Sequence, residues 1–434
     1  MRLYSTKNKN NFRSLKEAVL KGLPEDKGLF MPEEIPQLPP EFFQELPQMS
    51  FPELAFEVSK CLLKGAIPAE DLKAIIDQSI NFDAPVHSLD RETHILELFH
   101  GPSLAFKDFG ARFMAQLMSY FVKHEGKTLY ILVATSGDTG GAVASGFYQT
   151  EGIEVVILYP SGKVSLLQEK QLTTLGHNVQ ALEVEGTFDD CQALVKEAFL
   201  DKELNTHMRL SSANSINIAR LIPQSFYYFR AWQQLKRADK KVAFVVPSGN
   251  FGNLTAGLLA KRMGLPIDHF IAATNVNDIV PAYLASGEFT PRPSTPTISN
   301  AMDVGNPSNF ERMKDLYAAD WKQMKTEISG YSYTDEETQQ AIQAVYDAYG
   351  YIIDPHAAVG YLAFTEFRKE HPDYQGVILG TAHPAKFLDV IEPVLDQKVE
   401  VPERLEILRD RKKEAIGIGT DYEGFRETLL GLKK

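Results

Sequence analysis

Residues 242–264 read VAFVVPSGNFGNLTAGLLAKRMG. Val242–Val246 is a short, unbroken apolar run, the pattern of a strand buried on both faces. A turn rich in Gly and Asn, Pro247–Asn253, follows at once, and then apolar residues recur at helical spacing. A buried strand, a glycine turn and a helix in that order specify an α/β layer with the turn at the carboxyl end of the strand. Gly249 and Gly252 permit positive φ and close approach to the backbone. Successive N–H groups at a helix start favour an anion. Ser248, Gly249, Asn250, Phe251, Gly252 and Asn253 therefore read as a phosphate cup, with a plain strand–helix connection as the alternative.

The same alternation extends outward. Thr128–Thr135, Glu154–Tyr159, Asn178–Val184, His269–Thr274 and Gly376–Gly380 are strand-like. Phe109–Phe121, Leu166–Thr174, Phe188–Phe199, Ile216–Leu235 and Leu254–Met263 are helix-like. Continuous apolar strands separated by helices predict two open parallel-sheet α/β domains. Before them, Pro32, Pro36, Pro39, Pro40, Pro47 and Pro52 punctuate short amphipathic helices such as Leu15–Leu20 and Ala55–Leu63. The expected organisation is an α-rich N-terminal segment over 1–92, a smaller α/β region over 93–240 and a larger α/β domain over 241–434. Five prolines between Pro281 and Asn309 predict a long connection there.

The chain has 434 residues, room for two or three domains at about 150 residues each. With 45 Lys plus Arg against 57 Asp plus Glu, its formal charge is −12, which argues against a general nucleic-acid or anionic-membrane binder. The two cysteines, Cys61 and Cys191, form no C-x-x-C pair, so zinc ribbons, redox motifs and disulfide scaffolds are excluded. H-E-x-x-H, G-x-S-x-G and a strand followed by G-x-G-x-x-G are all missing, and the histidines do not fall at ligand spacing. No metal is expected. No apolar h-region follows Met1 and no run is long enough to span a bilayer, so the expectation is a reduced, cytoplasmic chain. Oligomeric state stays open.

Three further stretches carry chemistry. Ala134–Gly141, ATSGDTGG, again lies between a strand and a helix, and Ser136, Asp138 and Thr139 are either helix caps or ligand contacts. Gly380–Lys386, GTAHPAK, puts Thr381 at a strand tip, with a capped turn as the alternative. In Phe99–Gly110, FHGPSLAFKDFG, Lys107 lies between Phe106 and Phe109 at the start of a helix. Desolvation by aromatic neighbours and the positive helix end both disfavour an ammonium there. A neutral lysine amine is a nucleophile toward aldehydes. The alternative is a surface lysine whose stem covers apolar area. Taken together, a nucleophilic lysine, a phosphate cup and polar groups at sheet tips describe a pyridoxal 5'-phosphate site.

Many segments in order resemble the threonine synthase family, in its longer bacterial and fungal form. They include ELFHGPSLAFKDFGARFMAQ, ATSGDTGGAVA, LYPSGKVSLLQEKQ, SANSINIARL, VPSGNFGNLTAGLLAK, FIAATNVND, SNAMDVGNPSN, DPHAAVGY and LGTAHPAKF. The resemblance implies a fold-type II pyridoxal-phosphate enzyme, similar to the tryptophan synthase β chain. It implies conversion of O-phospho-L-homoserine and water to L-threonine and phosphate, the last step of threonine biosynthesis. By the same resemblance Lys107 holds the cofactor and serves as general base, Ser248–Asn253 takes its phosphate, and Thr381 faces its ring nitrogen. Ser136, Asp138 and Thr139 are expected at the substrate carboxylate, and Lys163 and Arg112 are candidates for the substrate phosphate, with an exposed loop lysine and a structural salt bridge as their respective alternatives. Many fold-type II enzymes have asparagine where this chain has Asp138, and a carboxylate beside the cofactor phenolate is repelled unless protonated or turned aside. Asp138 is therefore placed in the site without a specific contact. The remaining alternatives are a related lyase (threonine dehydratase, or a phospholyase giving 2-oxobutyrate) and a non-catalytic phospho-ligand binding protein.

Overall fold

Along Val242–Val246 the side chains alternate between two cores. Val242, Phe244 and Val246 pack into the largest cluster, and Ala243 and Val245 into a second one on the opposite face. Leu129–Ala134 behaves likewise, with Leu129, Ile131 and Val133 on one side and Tyr130, Leu132 and Ala134 on the other. Period-two alternation with both faces buried explains why these strands read as unbroken apolar runs.

The computed structural model describes residues 1–123, 126–135, 137–235 and 240–432. Its larger sheet has the strand order Ile328–Ser332, His269–Thr274, Lys241–Pro247, Tyr374–Gly380, Thr93–Glu97, Val86–Ser88. All neighbours in it are parallel except the last pair. The smaller sheet is wholly parallel, in the order Ile416–Ile418, Val179–Val184, Ile153–Pro160, Leu129–Ala134, Arg209–Ser212. The helix Lys107–Val122 buries Phe109, Phe113, Met114, Leu117 and Met118 in the main cluster, which also takes one face of each sheet. Each of those phenylalanines contributes about 1.5–3 kcal/mol by leaving water. The helices Asp335–Tyr349 and Pro355–Glu370 cover the other face of the larger sheet. Phe188–Leu200 and Tyr422–Gly431 cover that of the smaller.

The sheets interleave along the chain. The larger takes Thr93–Glu97 from before the smaller, and the smaller takes Ile416–Ile418 from after the larger. This differs from the division expected at residue 240. Parallel strands already need crossover connections, and such a connection can hold an entire second sheet.

The N-terminal segment is α-rich, with helices Leu15–Lys21, Pro40–Glu45, Phe51–Leu63 and Ala69–Ser79. It also contains an antiparallel sheet of Asn8–Ser14, Arg2–Ser5 and Phe30–Pro32, which hydrophobic pattern does not disclose. Its edge strand NKNNFRS is polar and mostly exposed, so no alternation marks it. Pro223 divides the helix expected over Ile216–Leu235 into Ile218–Leu221, a 3-10 turn and Phe226–Gln234. The connection expected from Pro281 begins as a helix, Ile279–Ser286, which admits Pro281 in its first turn, where no intrahelical N–H bond is lost.

Candidate active site

Three adjacent strands of the larger sheet deliver three of the expected elements at their carboxyl ends. Lys241–Pro247 leads into the Ser248–Asn253 loop, Tyr374–Gly380 into Thr381, and Thr93–Glu97 into the segment ending at Lys107. The last two are stitched together: Leu98 N donates to Gly380 O at 2.9 Å, Phe106 N to Thr381 O at 2.9 Å, and His383 N to Leu104 O at 3.0 Å. Thr381 is buried and sits one residue from the Ala105–Ala382 bridge. In open parallel sheets this is the edge where ligands bind.

The Ser248–Asn253 loop is built from neutral groups. Ser248 Oγ donates to Asn253 Oδ1 at 2.6 Å and accepts from Phe251 N at 3.1 Å. Asn253 Nδ2 donates to Pro247 O at 2.9 Å, and Tyr228 Oη donates to Asn253 O at 2.7 Å. Asn250 Oδ1 accepts from Ser308 Oγ at 3.2 Å. Phe251 is held in the left-handed region at φ 59°, and a Cβ on Gly249 would lie 2.8 Å from Ala301 O. Phe251 supplies no side-chain cap to the helix Gly252–Arg262, and Leu254 N donates to Asn253 Oδ1 at 3.0 Å, so the N–H groups of Gly252 and Asn253 and the positive helix end are left for an anion.

Lys107 opens its helix without a side-chain cap and is half-buried. Desolvation pushes its amine below the usual lysine range; Asp138 opposes this, while Lys386 and Arg220 reinforce it. Phe106 places its ring 5.8 Å from the Lys107 nitrogen. The neighbouring Asp108 is fully buried, and burial raises its carboxyl to about 6 despite hydrogen bonds from Ser103.

The turn after Leu129–Ala134 comes from the smaller sheet. Thr135 Oγ1 organises it, accepting from Gly137 N at 3.0 Å and Gly140 N at 2.9 Å. Gly137 has φ 142°, and a Cβ there would fall 2.6 Å from Gln168. Asp138 begins the helix Asp138–Phe147, with Thr139 beside it, and Ser136 lies outside the described residues. Asp138 Oδ1 receives Lys386 Nζ at 2.6 Å and Gln168 Nε2 at 3.1 Å. Burial alone would raise this carboxyl. The charges of Lys386 and Lys107, with hydrogen bonds from Lys386 and Gln168, outweigh it and hold the group well below the usual carboxylate range. The worry about a bare carboxylate at this position is thus met by a buried ion pair.

Of the two cations expected for the substrate phosphate, Arg112 is engaged by oxygens of a neighbouring helix end and Lys163 is exposed. Arg112 donates to Gln78 O at 2.7 Å, Ser79 O at 3.2 Å and Asn81 Oδ1 at 3.0 Å, tying its helix to the carboxyl end of Ala69–Ser79. Lys163 is exposed in the turn after Ile153–Pro160, where its charge acts on Asp190. The buried cations that act on Lys107 are Lys386 and Arg220, and sequence reasoning gave neither a role. Gln168 and Gln171 were also passed over. They are buried, three residues apart on one helix face, and Gln171 Nε2 donates to Ser103 O at 3.2 Å. All four lie inside the quoted motifs, which is the signal that could have found them.

Residues 85–379 match a family model described as pyridoxal-phosphate dependent enzyme. Residues 2–80 match threonine synthase N terminus, and residues 357–428 match threonine synthase, C-terminal. The chain is 43% identical to threonine synthase from Escherichia coli (strain K12) over 431 residues, 99% of both chains. The chain belongs to the threonine synthase family. Two solved members share the fold along their length. A PLP-bound threonine synthase from Brucella melitensis has TM-score 0.94 and 36% identity, covering 100% of both chains. The yeast threonine synthase has TM-score 0.92 and 36% identity, covering 100% of this chain and 98% of its own. Among the described residues no helix is long and apolar enough to cross a membrane, and no cluster of His, Cys, Asp and Glu could hold a metal ion.

Proposed function

We propose that this chain converts O-phospho-L-homoserine and water to L-threonine and phosphate, using pyridoxal 5'-phosphate held by Lys107. The observation that supports this most is the convergence of a desolvated lysine, a buried threonine and an uncapped helix start at adjacent strand tips. It occurs in a chain whose full-length relatives are threonine synthases. The residues fit the cofactor: the amides of Gly252 and Asn253 suit its phosphate, Lys107 its aldehyde, and the neutral Thr381 hydroxyl its ring nitrogen. When bound, the cofactor supplies an electron sink for negative charge at the substrate Cα.

The protein's own part follows from its charges. A neutral Lys107 amine attacks a carbonyl carbon, and once displaced by the substrate amine it accepts the Cα proton as general base. Low proton affinity in the resting state suits the attack on the carbonyl. The Thr139 hydroxyl and the amides of Asp138 and Thr139 suit the substrate carboxylate at a helix amino terminus. Asp138 does not serve as that receptor, because two carboxylates repel; it faces Lys386. Incubation with O-phosphohomoserine, following free phosphate, threonine and 2-oxobutyrate together, tests the reading. Equal amounts of phosphate and threonine are expected. Phosphate accompanied by 2-oxobutyrate and ammonia identifies the phospholyase instead, and no phosphate at all leaves a threonine dehydratase, which 2-oxobutyrate from threonine reveals, or a binding protein.

A further inference from the structure

Lys386 enters the site from the turn that also carries Thr381. Its Nζ lies 2.6 Å from Asp138 Oδ1 and donates to Ser103 O at 2.8 Å. The two side chains are only 1% and 7% exposed. A lysine this deeply buried keeps its charge only where that charge is paired. The pair crosses the molecule: Asp138 follows a strand of the smaller sheet and Lys386 follows a strand of the larger. Gln168 bonds the same carboxylate oxygen from a third element.

The charged groups acting on Lys107 come from every side. Asp138 opens the helix Asp138–Phe147, Lys386 ends the 3-10 turn Pro384–Lys386, and Arg220 lies on Ile218–Leu221. Asp108 follows on the helix of Lys107 itself and feels Lys386, Arg112 and Arg220. Lys386 also acts on His383. In this setting Asp138 is the group that favours a proton on Lys107, and an ammonium cannot attack a carbonyl.

We propose that Lys386 is a positioning residue: by pairing with Asp138 across the two sheets it satisfies that carboxylate, leaving the Lys107 amine uncharged and free to attack. This rests on the reading of Lys107 as the attacking amine. Without Lys386 the remaining cation whose charge acts on a buried, ionised Asp138 is a protonated Lys107.

The test reads Lys107 directly, not turnover. The full-length chain, freed of bound cofactor, is treated with cyanate across a pH series, and carbamylation of Lys107 is counted by peptide mass. Only the neutral amine reacts. K386M raises the half-modification pH of Lys107 by about one to three pH units, the effect of an uncompensated charge nearby. D138N lowers it, K386R leaves it near the wild-type value, and the K386M/D138N pair returns it toward wild type. If K386M does not fold, D138N and the double variant carry the same test. Superimposable profiles for wild type, D138N and the double variant overturn the proposal. Borohydride reduction of the wild-type chain with pyridoxal phosphate is run alongside. A label absent from Lys107 there overturns the reading of Lys107 itself, a distinct failure.

Discussion

The Ser248–Asn253 loop and the Thr135–Thr139 turn occupy equivalent places, each between a parallel strand and the helix that follows. They are held in different ways. The first is closed by its own neighbours, Ser248 to Asn253 and Asn253 to Pro247, with Tyr228 added from a nearby helix. It contains no charge. The second contains a buried carboxylate, and that carboxylate depends on Lys386, which arrives from the other sheet. A neutral cup is a local device that can be finished by its own stretch of chain. A charged turn needs a distant partner, and its stability is tied to how the sheets dock.

The sharpest way to separate chemistry from scaffold is Lys107→Ala. Turnover is expected to fall by about 10³-fold or more, with urea unfolding little changed. Full threonine output from this variant would remove the common purpose of both regions. Next in size is Lys386→Met, which leaves Asp138 buried without its partner. A loss of about 3–5 kcal/mol in urea unfolding is expected, largely recovered in the double variant with Asp138→Asn. Two single-variant costs that simply add would show that the turn does not depend on the pair.

Asp108 and Asp138 sharpen the contrast through pH. Asp108 is raised to about 6, so its contribution is fully present below about pH 4 and is lost as pH rises through 6. That loss amounts to about 3 kcal/mol, and Asp108→Asn should flatten stability curves over this window. Asp138 is lowered, so its contribution is present above about pH 4 and fades as pH falls below it. Unfolding midpoints recorded from pH 3 to 8 check both signs. Ser248→Ala strips two bonds from the neutral cup and is expected to cost about 1–3 kcal/mol, less than Lys386→Met, with weaker cofactor retention on dialysis. A larger loss than that of Lys386→Met would invert the comparison. The smallest effect belongs to Lys163→Ala in its exposed turn, where KM for O-phosphohomoserine should stay within about twofold.

How legible each region was follows the same division. Val242–Val246 announced a strand because both its faces are buried, and the glycine turn behind it announced a ligand loop. Lys107 is brought toward Thr381 by backbone bonds such as Phe106 N to Thr381 O, between stretches far apart in the sequence that no local spacing could pair. The N-terminal hairpin was hidden because its outer strand is exposed and polar, so no hydrophobic period betrays it. Lys386 was hidden for another reason. A lysine after a strand tip looks like a solvated residue until tertiary packing buries it against Asp138, and no local spacing encodes that meeting. Arg112, five residues beyond Lys107, could be read as a substrate cation or as a structural residue; its guanidinium bonds the carbonyls at the end of Ala69–Ser79, a contact no local spacing encodes.

The central claim is that Lys107 is the residue that holds the cofactor. Borohydride reduction of the full chain in the presence of pyridoxal phosphate, followed by peptide mapping, reads it out directly. A single reduced adduct on the peptide containing Lys107 is the expected result. An adduct confined to another lysine, Lys386 included, or none at all, contradicts it.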